Sequence, residues 1–182
     1  IQELDQRGFP PELKPIPVDD TRNGSEDQSA ESGLDPLSFD QAQADDGSVV
    51  DVLVVYTSAA RTAVGGTTAM ENLINLAVAE SNTGYSNSVI NQRLRLVHTA
   101  QVTYSESGFN WSTTLSRLRG ETDGYMDNVH SLRNTYCADH VVLIVADTAY
   151  CGLAYMMGTV SSSFEDSAFA LVSENCATGY YS

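Results

Sequence analysis

Two runs of nearly unbroken aliphatic residues set the tightest limit on what this chain can fold into. They are Val49-Val50-Asp51-Val52-Leu53-Val54-Val55-Tyr56 and His140-Val141-Val142-Leu143-Ile144-Val145-Ala146-Asp147. Neither alternates apolar with polar, so neither suits a sheet with one wet face. Each reads as a central strand buried on both sides, in a sheet covered by helices. Between them, Met70, Leu73, Ile74, Ala77 and Val78 recur at helical spacing from Ala69. That helix is expected to continue past a bend at Gly84 through Tyr85, Val89 and Ile90. Thr67 or Thr68 is the expected N-cap, with Glu71 completing a capping box from Thr68. Leu94, Leu96, His98, Ala100 and Val102 then alternate with their neighbours as in a half-buried strand, and a Ser, Gly and Asn loop spans 105–110. A second long helical stripe runs through Leu115, Leu118, Thr122, Tyr125, Met126, Val129, Leu132 and Tyr136. Gly120 and Gly124 weaken it by about 1 kcal/mol each relative to Ala. The order strand, helix, strand, helix, strand predicts an α/β layered domain with right-handed crossovers. After a Gly-rich aromatic stretch, Tyr150 to Gly158, the segment Ala168 to Val172 reads as a last short strand. Its alanines, with Ser167 and Ser173 flanking them, suit an exposed edge.

The first 47 residues differ in texture. They hold 12 of the 24 carboxylates, three of the nine bases and all five prolines. The polar run from Asp19 to Ser29 has no periodicity and too little apolar surface to offset its ordering entropy. Two readings are open for 1–47, both largely disordered: a flexible acidic tail or linker, or the end of a propeptide with its activation linker. In either, Phe9, Leu13, Ile16 and Val18 are able to dock on the domain that begins at 48 and runs to 182. The N-terminus shows no basic and apolar leader, so a signal peptide is expected to be already removed or never included.

A net charge of -15 with only nine Lys and Arg in 182 residues argues against nucleic acid and anionic membrane surfaces as partners. No stretch reaches the roughly 18 apolar residues of a membrane span. Three cysteines permit one disulfide and a leftover thiol, with three pairings open.

No constellation carries an evident chemistry. His98, His130 and His140 form no His-x-x-x-His or His-x-His pair, and a zinc site would have to gather them from separate elements. His98 is expected to be partly buried, His130 to sit at the margin of the helical stripe, and His140 to lie on the surface. Asp51 and Asp147 flank the hydrophobic strands; Asp147, at a strand's C-terminal end, is either functional or a turn cap. Ser161-Ser162-Ser163 lacks a Gly-x-Ser-x-Gly elbow, Gly65-Gly66 lacks a nucleotide-binding signature, and Glu165, Asp166 and Glu174 do not present a glycosidase pair. From the residues alone the default is an acidic α/β binding or structural module.

Several strings, in order, carry a resemblance. Asp51-Val52-Leu53-Val54-Val55-Tyr56-Thr57, Ala77-Val78-Ala79-Glu80-Ser81-Asn82-Thr83-Gly84-Tyr85, Cys151-Gly152-Leu153-Ala154-Tyr155-Met156, Ala168-Phe169-Ala170-Leu171-Val172-Ser173 and Cys176-Ala177-Thr178-Gly179-Tyr180-Tyr181-Ser182 resemble the reprolysin-type metzincins. They most resemble the bacterial peptidyl-Asp metalloendopeptidase-like proteins, over roughly residues 50–182.

The resemblance implies a truncated metzincin-type (zincin-like) catalytic domain of α/β class. Its sheet would be twisted and mostly parallel, with an antiparallel edge strand and two long helices. It implies a zinc-dependent endopeptidase in the parent protein, secreted, acting on protein or peptide substrates. The zinc-binding His-Glu-x-x-His-x-x-Gly-x-x-His helix of the family does not occur in this sequence, so no catalytic or metal-ligating residue is assigned and no zinc is expected in this chain. It is then an inactive fragment, whose natural partner includes the missing C-terminal part of the same domain. The alternative is a catalytically dead peptide-binding or inhibitory module. In the family the edge strand runs antiparallel to the bound peptide and hydrogen-bonds its backbone. By resemblance that role falls on Ser167, Ala168, Phe169, Ala170, Leu171, Val172 and Ser173, with Gly152, Leu153, Ala154 and Tyr155 nearby. The family also places cysteines at Cys151 and Cys176, which implies that pair as the disulfide. Without the zinc helix, the undersides of Val54 and Ile144 are expected to be exposed.

Overall fold

The computed structural model describes residues 9–18, 48–159 and 161–179; most of the acidic 1–47 segment lies outside these. Six strands form one sheet: β1 (Ile16–Val18), β2 (Val49–Thr57), β3 (Arg93–Val102), β4 (His140–Val145), β5 (Gly152–Met157) and β6 (Phe169–Ser173), in the order β1-β5-β6-β4-β2-β3. The pairs β3–β2, β2–β4, β4–β6 and β1–β5 are parallel, and β5–β6 is antiparallel. The helices are α1 (Ser58–Ala63), α2 (Thr67–Asn87), α3 (Trp111–Arg119) and α4 (Asn128–Thr135).

The two aliphatic runs do occupy the sheet's centre. Leu53, Val55, Val141, Leu143 and Val145 face one side, where Trp111, Leu115 and Leu118 of α3 and Val129 of α4 close over them. Val52, Val54, Tyr56 and Ile144 face the other, against Ala60 of α1 and Met70 and Ile74 of α2. Alternate side chains thus feed two separate cores, which is why neither run has a polar phase. Val54 and Ile144 are 5% and 3% exposed. The expectation that they lie bare is corrected, because α1 and α2 already cover them.

Three further expectations are corrected. First, α2 begins at Thr67 with Gly66 as its N-cap and no side-chain cap bond, so the Thr68–Glu71 capping box does not form; the helix runs through Gly84 to Asn87. Second, the stripe from Leu115 to Tyr136 is two short helices, leaving one long helix instead of two. Gly120 leaves α3 in an extended conformation, and Gly124 and Met126 adopt positive φ of 82° and 56°. Asp123 and Asp127 carboxylates accept the N–H groups of Tyr125 and Gly124 at 2.9 and 3.2 Å, holding the turn. Apolar periodicity survives this break because both helices pack on the same face. Third, β3 contains a bulge: Val52 pairs Leu96 and Leu53 pairs His98, leaving Val97 without a partner. Its side chains therefore change face midway, Leu94 and Leu96 joining one core and Ala100 and Val102 the other.

α1 is capped by the buried Thr57, whose Oγ1 accepts the Ala60 N–H at 3.0 Å.

Candidate peptide-binding edge

The antiparallel strand is where the resemblance and the geometry meet, but its identity changes. Ser167–Ser173 was expected to be the exposed edge. In the structure β6 lies between β4 and β5 with both hydrogen-bonding sides in use. Around it, Ala168 O accepts the Val141 N–H at 3.0 Å, and Ser173 N–H donates to Cys151 O at 2.8 Å. Ser167, Ala168, Phe169, Leu171 and Ser173 are buried, with Ala170 and Val172 half-buried. The small residues that suggested an edge sit in a strand flanked on both sides, with Phe169, Leu171 and Ser173 buried on one face and Ala170 and Val172 half-buried along the groove on the other. Its backbone has no free ladder to offer a peptide.

The antiparallel strand on the outer side is β5. Gly152 begins it, and a Cβ there would meet Leu171 O at 2.8 Å, so this position admits only hydrogen. Leu153 is buried; Ala154 and Tyr155 are half-buried; Met156 and Met157 are 45% and 40% exposed. Arg119 braces the strand from above, its guanidinium 5.2 Å from the Tyr155 ring centre and its Nε donating to Asp166 O at 3.0 Å. Cys151 and Cys176 form the implied disulfide, Cα atoms 5.3 Å apart, stapling the start of β5 to the turn after β6. Cys137 is the free, exposed thiol.

The outer side of β5 carries β1, with Ile16 opposite Tyr155, Pro17 opposite Met156 and Val18 opposite Met157. The Cys151 N–H donates to Pro11 O at 3.0 Å. The Cys151 sulfur, which has no hydrogen in a disulfide, lies 3.3 Å from Pro10 O. Leu13 and Ile16 pack on the main core. The docking foreseen for Phe9 to Val18 therefore takes the form of an added strand.

Beneath the sheet an apolar groove of about 1050 Å³ opens between α2 and this N-terminal segment. Ala77, Ser81 and Tyr85 of α2 form one wall, Val142, Ala170 and Ala154 part of the roof, and among the described residues no Lys or Arg lines it. The chain after β6 crosses near α2, where Gly179 N–H donates to a Glu80 carboxylate oxygen at 2.7 Å.

The other candidate side chains have structural partners. Asp51 binds Arg95 through two contacts of 2.6 Å, and Asp147 caps a turn, accepting Trp111 Nε1–H at 2.8 Å and the Ala149 N–H at 3.0 Å. His98 stacks on Tyr136 at 3.9 Å, and His130 Nε2 lies 3.1 Å from Gly120 O. His140 is half-buried instead of fully exposed, and its partial desolvation, with Arg133 adding to it and Asp139 opposing, lowers its pKa to about 4. Ser161 Oγ and Ser163 Oγ bond each other in a local turn. Among the described residues no group of His, Cys, Asp or Glu is arranged to hold a metal ion.

Two important residues had little sequence signal. Glu106, the only acid in the 105–110 loop, accepts the Thr57 hydroxyl and, at 3.1 and 3.0 Å, the Ala146 N–H, locking the ends of β2 and β4 together. Asn82 of α2 pairs with Leu94 as a strand would: Oδ1 accepts its N–H at 2.7 Å and Nδ2 donates to its C=O at 2.9 Å. Near Glu106, burial raises the Glu174 pKa, its own backbone hydrogen bond opposes this, and Glu106 and Asp147 push it further up.

The model of metallo-peptidase family M12, reprolysin type, matches residues 46–180. A peptidyl-Asp metalloendopeptidase of Stenotrophomonas maltophilia (strain K279a) is 49% identical over 148 residues, covering 81% of this chain and 34% of that protein. One from Xanthomonas campestris pv. campestris is 47% identical over 143 residues, covering 78% and 33%. This chain thus spans about a third of the length of the curated relatives it matches. A solved chain from the structure of a chaperone-substrate complex superposes with a TM-score of 0.56 at 20% identity, over 69% of this chain and 22% of that one; at this identity the likeness concerns fold alone. Matched through both aliphatic strands, the antiparallel β5 and the stapled turn after β6, the chain belongs to the reprolysin-type metallo-peptidases of family M12 and is close to the bacterial peptidyl-Asp metalloendopeptidases.

Proposed function

We propose that this chain is the peptide-facing, N-terminal part of a zinc-dependent endopeptidase domain in a longer secreted protein, and that it is inactive by itself. The carrying observation is the 49% identity over 148 residues to a peptidyl-Asp metalloendopeptidase of which it spans 34%. The residues present do not fit a catalytic zinc: among the described residues no three of His, Cys, Asp and Glu come together, with His98 stacked on Tyr136 and His130 against the Gly120 carbonyl on separate elements. No hydrolytic step is therefore assigned to them. The remainder of the domain would supply the metal ligands and occupy the apolar groove under the sheet. Gly152, Leu153, Ala154 and Tyr155 keep the peptide-binding role through the outer side of β5. Ser167 to Ser173 support that strand from behind instead of meeting substrate.

Protein or peptide substrates are the proposed partners. The net charge of -15 disfavours nucleic acid, and no helix among the described residues is long and apolar enough to cross a membrane. The Cys151–Cys176 disulfide fits an oxidising compartment. With no Lys or Arg among the described residues lining the groove, a cation that recognises an acidic substrate side chain would come from the rest of the domain.

Expressing the reading frame continued beyond this chain, alongside the chain itself, tests the proposal with casein. The longer protein should cleave and lose cleavage to a chelator, and the chain alone should not cleave. A longer protein without chelator-sensitive cleavage would refute the reading.

A further inference from the structure

We infer that Arg119 is a specificity-determining residue: its guanidinium, held over the upper face of β5, selects an acidic side chain at one position of the peptide that pairs along that strand. The inference rests on the reading of β5 given above and adds a requirement on the substrate of that same edge.

The two faces of β5 are unlike. Successive residues of a strand point to opposite sides of the sheet. Leu153 and Tyr155 turn up, to the side covered by α3 and α4, and pack on that core. Gly152 and Ala154 line the groove beneath. A peptide paired with β5 obeys the same alternation, and its residue opposite Tyr155 points up beside that ring. In this chain the position is held by Ile16 of β1, which packs on the same core as Tyr155. A substrate side chain that points down must find any cation in the rest of the domain. One that points up meets Arg119.

Arg119 is the last residue of α3 and is exposed. Its Cζ lies 5.2 Å from the Tyr155 ring centre, and its Nε donates to Asp166 O at 3.0 Å. These contacts fix the guanidinium and use one of its N–H groups. The terminal nitrogens have no hydrogen-bond or carboxylate partner among the described residues. A guanidinium seated by an aromatic ring keeps those N–H groups for a carboxylate, which they grip in a two-pronged geometry.

The other arginines of the domain are committed elsewhere. Arg93 donates to the carbonyls of Ile90 and Gln92, and Arg95 pairs with Asp51. Arg117 binds the Tyr104 hydroxyl and stacks on Tyr125, and Arg133 donates to the carbonyls of Ala138 and Asp139. Arg61 lies on α1, which packs on the sheet's other face. In a chain of net charge -15, a cation with open donors beside the peptide edge runs against the general charge. Glu165 and Asp166, in the turn that supplies the Asp166 carbonyl, temper its field, and the guanidinium is exposed. The preference it confers is therefore modest and sensitive to salt.

The test uses the longer protein described above, with Arg119→Gln, Arg119→Lys and Arg119→Glu. The probes are peptides built on the casein sequence it cleaves fastest, each carrying Asp, Asn or Lys at one position in turn, and kcat/KM is read for each. The inference predicts one position at which wild type takes Asp over Asn by about threefold, with the ratio shrinking in high salt. Arg119→Gln should abolish that preference at that position alone, and Arg119→Lys should keep part of it. Arg119→Glu should turn it towards Lys. Loss of a brace on β5 would instead slow every peptide alike. An equal fall for all peptides in Arg119→Gln, or Asp-to-Asn ratios unchanged at every position, overturns the inference and leaves the reading of β5 standing. A longer wild-type protein that cleaves none of the peptides refutes that reading itself, and the inference falls with its premise.

Discussion

Replacing Cys151 and Cys176 by serine isolates what the staple contributes. The two residues are 25 apart in sequence. Closing a loop of that length removes about 3.5 kcal/mol of freedom from the unfolded chain in the entropy model. Native contacts at both ends should persist at first, because Ser173 N–H still reaches Cys151 O and the Gly152–Val172 pairing does not need sulfur. The loss therefore falls mainly on the unfolded state. Urea unfolding followed by far-UV circular dichroism and by the single, buried Trp111 should show a lowered midpoint. For an m-value of about 2 kcal/mol per molar, the drop is about 1.7 M. The m-value should rise, since the unlinked chain exposes more surface. Wild type in reductant should match the double variant, and Cys137→Ser should stay within about 0.5 kcal/mol of wild type, that thiol being exposed, outside the disulfide and at 3.9 Å from Asn134 O. An unchanged midpoint in the double variant, or a bridged peptide containing Cys137 in a non-reduced digest, refutes the reasoning.

Gly152→Ala forces a Cβ to within 2.8 Å of Leu171 O and should cost about 1–3 kcal/mol; thermal melting at wild-type stability would contradict the β5–β6 register. Asn82→Ala strips Leu94 of both backbone partners and should cost about 2 kcal/mol by denaturant titration, with Asn82→Asp, which keeps only the acceptor, falling between. His140 has a folded pKa of about 4 against a reference of 6.5, so the unfolded chain takes up its proton first. Stability is therefore lost as pH falls from 6.5 towards 4, by about 3 kcal/mol at most, and His140→Gln should flatten that limb of a melting-temperature profile; a profile parallel to wild type would count against it. Glu174 has the opposite sign: its raised pKa makes the ionised carboxylate a penalty that is relieved as pH falls through the folded value. Glu174→Gln should accordingly be more stable than wild type at pH 7, and lower stability would show the charge to be favourable.

The sheet's centre could be read from the chain because burial on both faces demands uninterrupted apolar residues, and Val49–Tyr56 and His140–Val145 have nothing else to explain them. The Cys151–Cys176 bond came from resemblance, since three cysteines alone left every pairing open. The misreadings share one cause: periodicity reports which face a residue takes, not who its neighbours are. Ala168–Val172 has small residues whether it borders solvent or lies between β4 and β5. The Leu115–Tyr136 stripe keeps its phase across a break because α3 and α4 pack on the same core. Val97 turns β3 over with no change in composition. Glu106 and Asn82 act through backbone groups distant in sequence, so their importance is set by tertiary contacts. Ile16 and Val18 stand out as apolar residues able to dock but not as a strand, because a strand that pairs on one side through alternate residues can carry prolines at the others.

As proposed above, this chain supplies the sheet and the peptide edge of a metallo-endopeptidase but not its metal. Metal analysis of the purified chain after dialysis against zinc, with casein hydrolysis measured on the same sample, tests it most directly. The account predicts no stoichiometric, tightly held zinc and no chelator-sensitive cleavage. One zinc per chain retained through dialysis, with turnover abolished by a chelator, would contradict it.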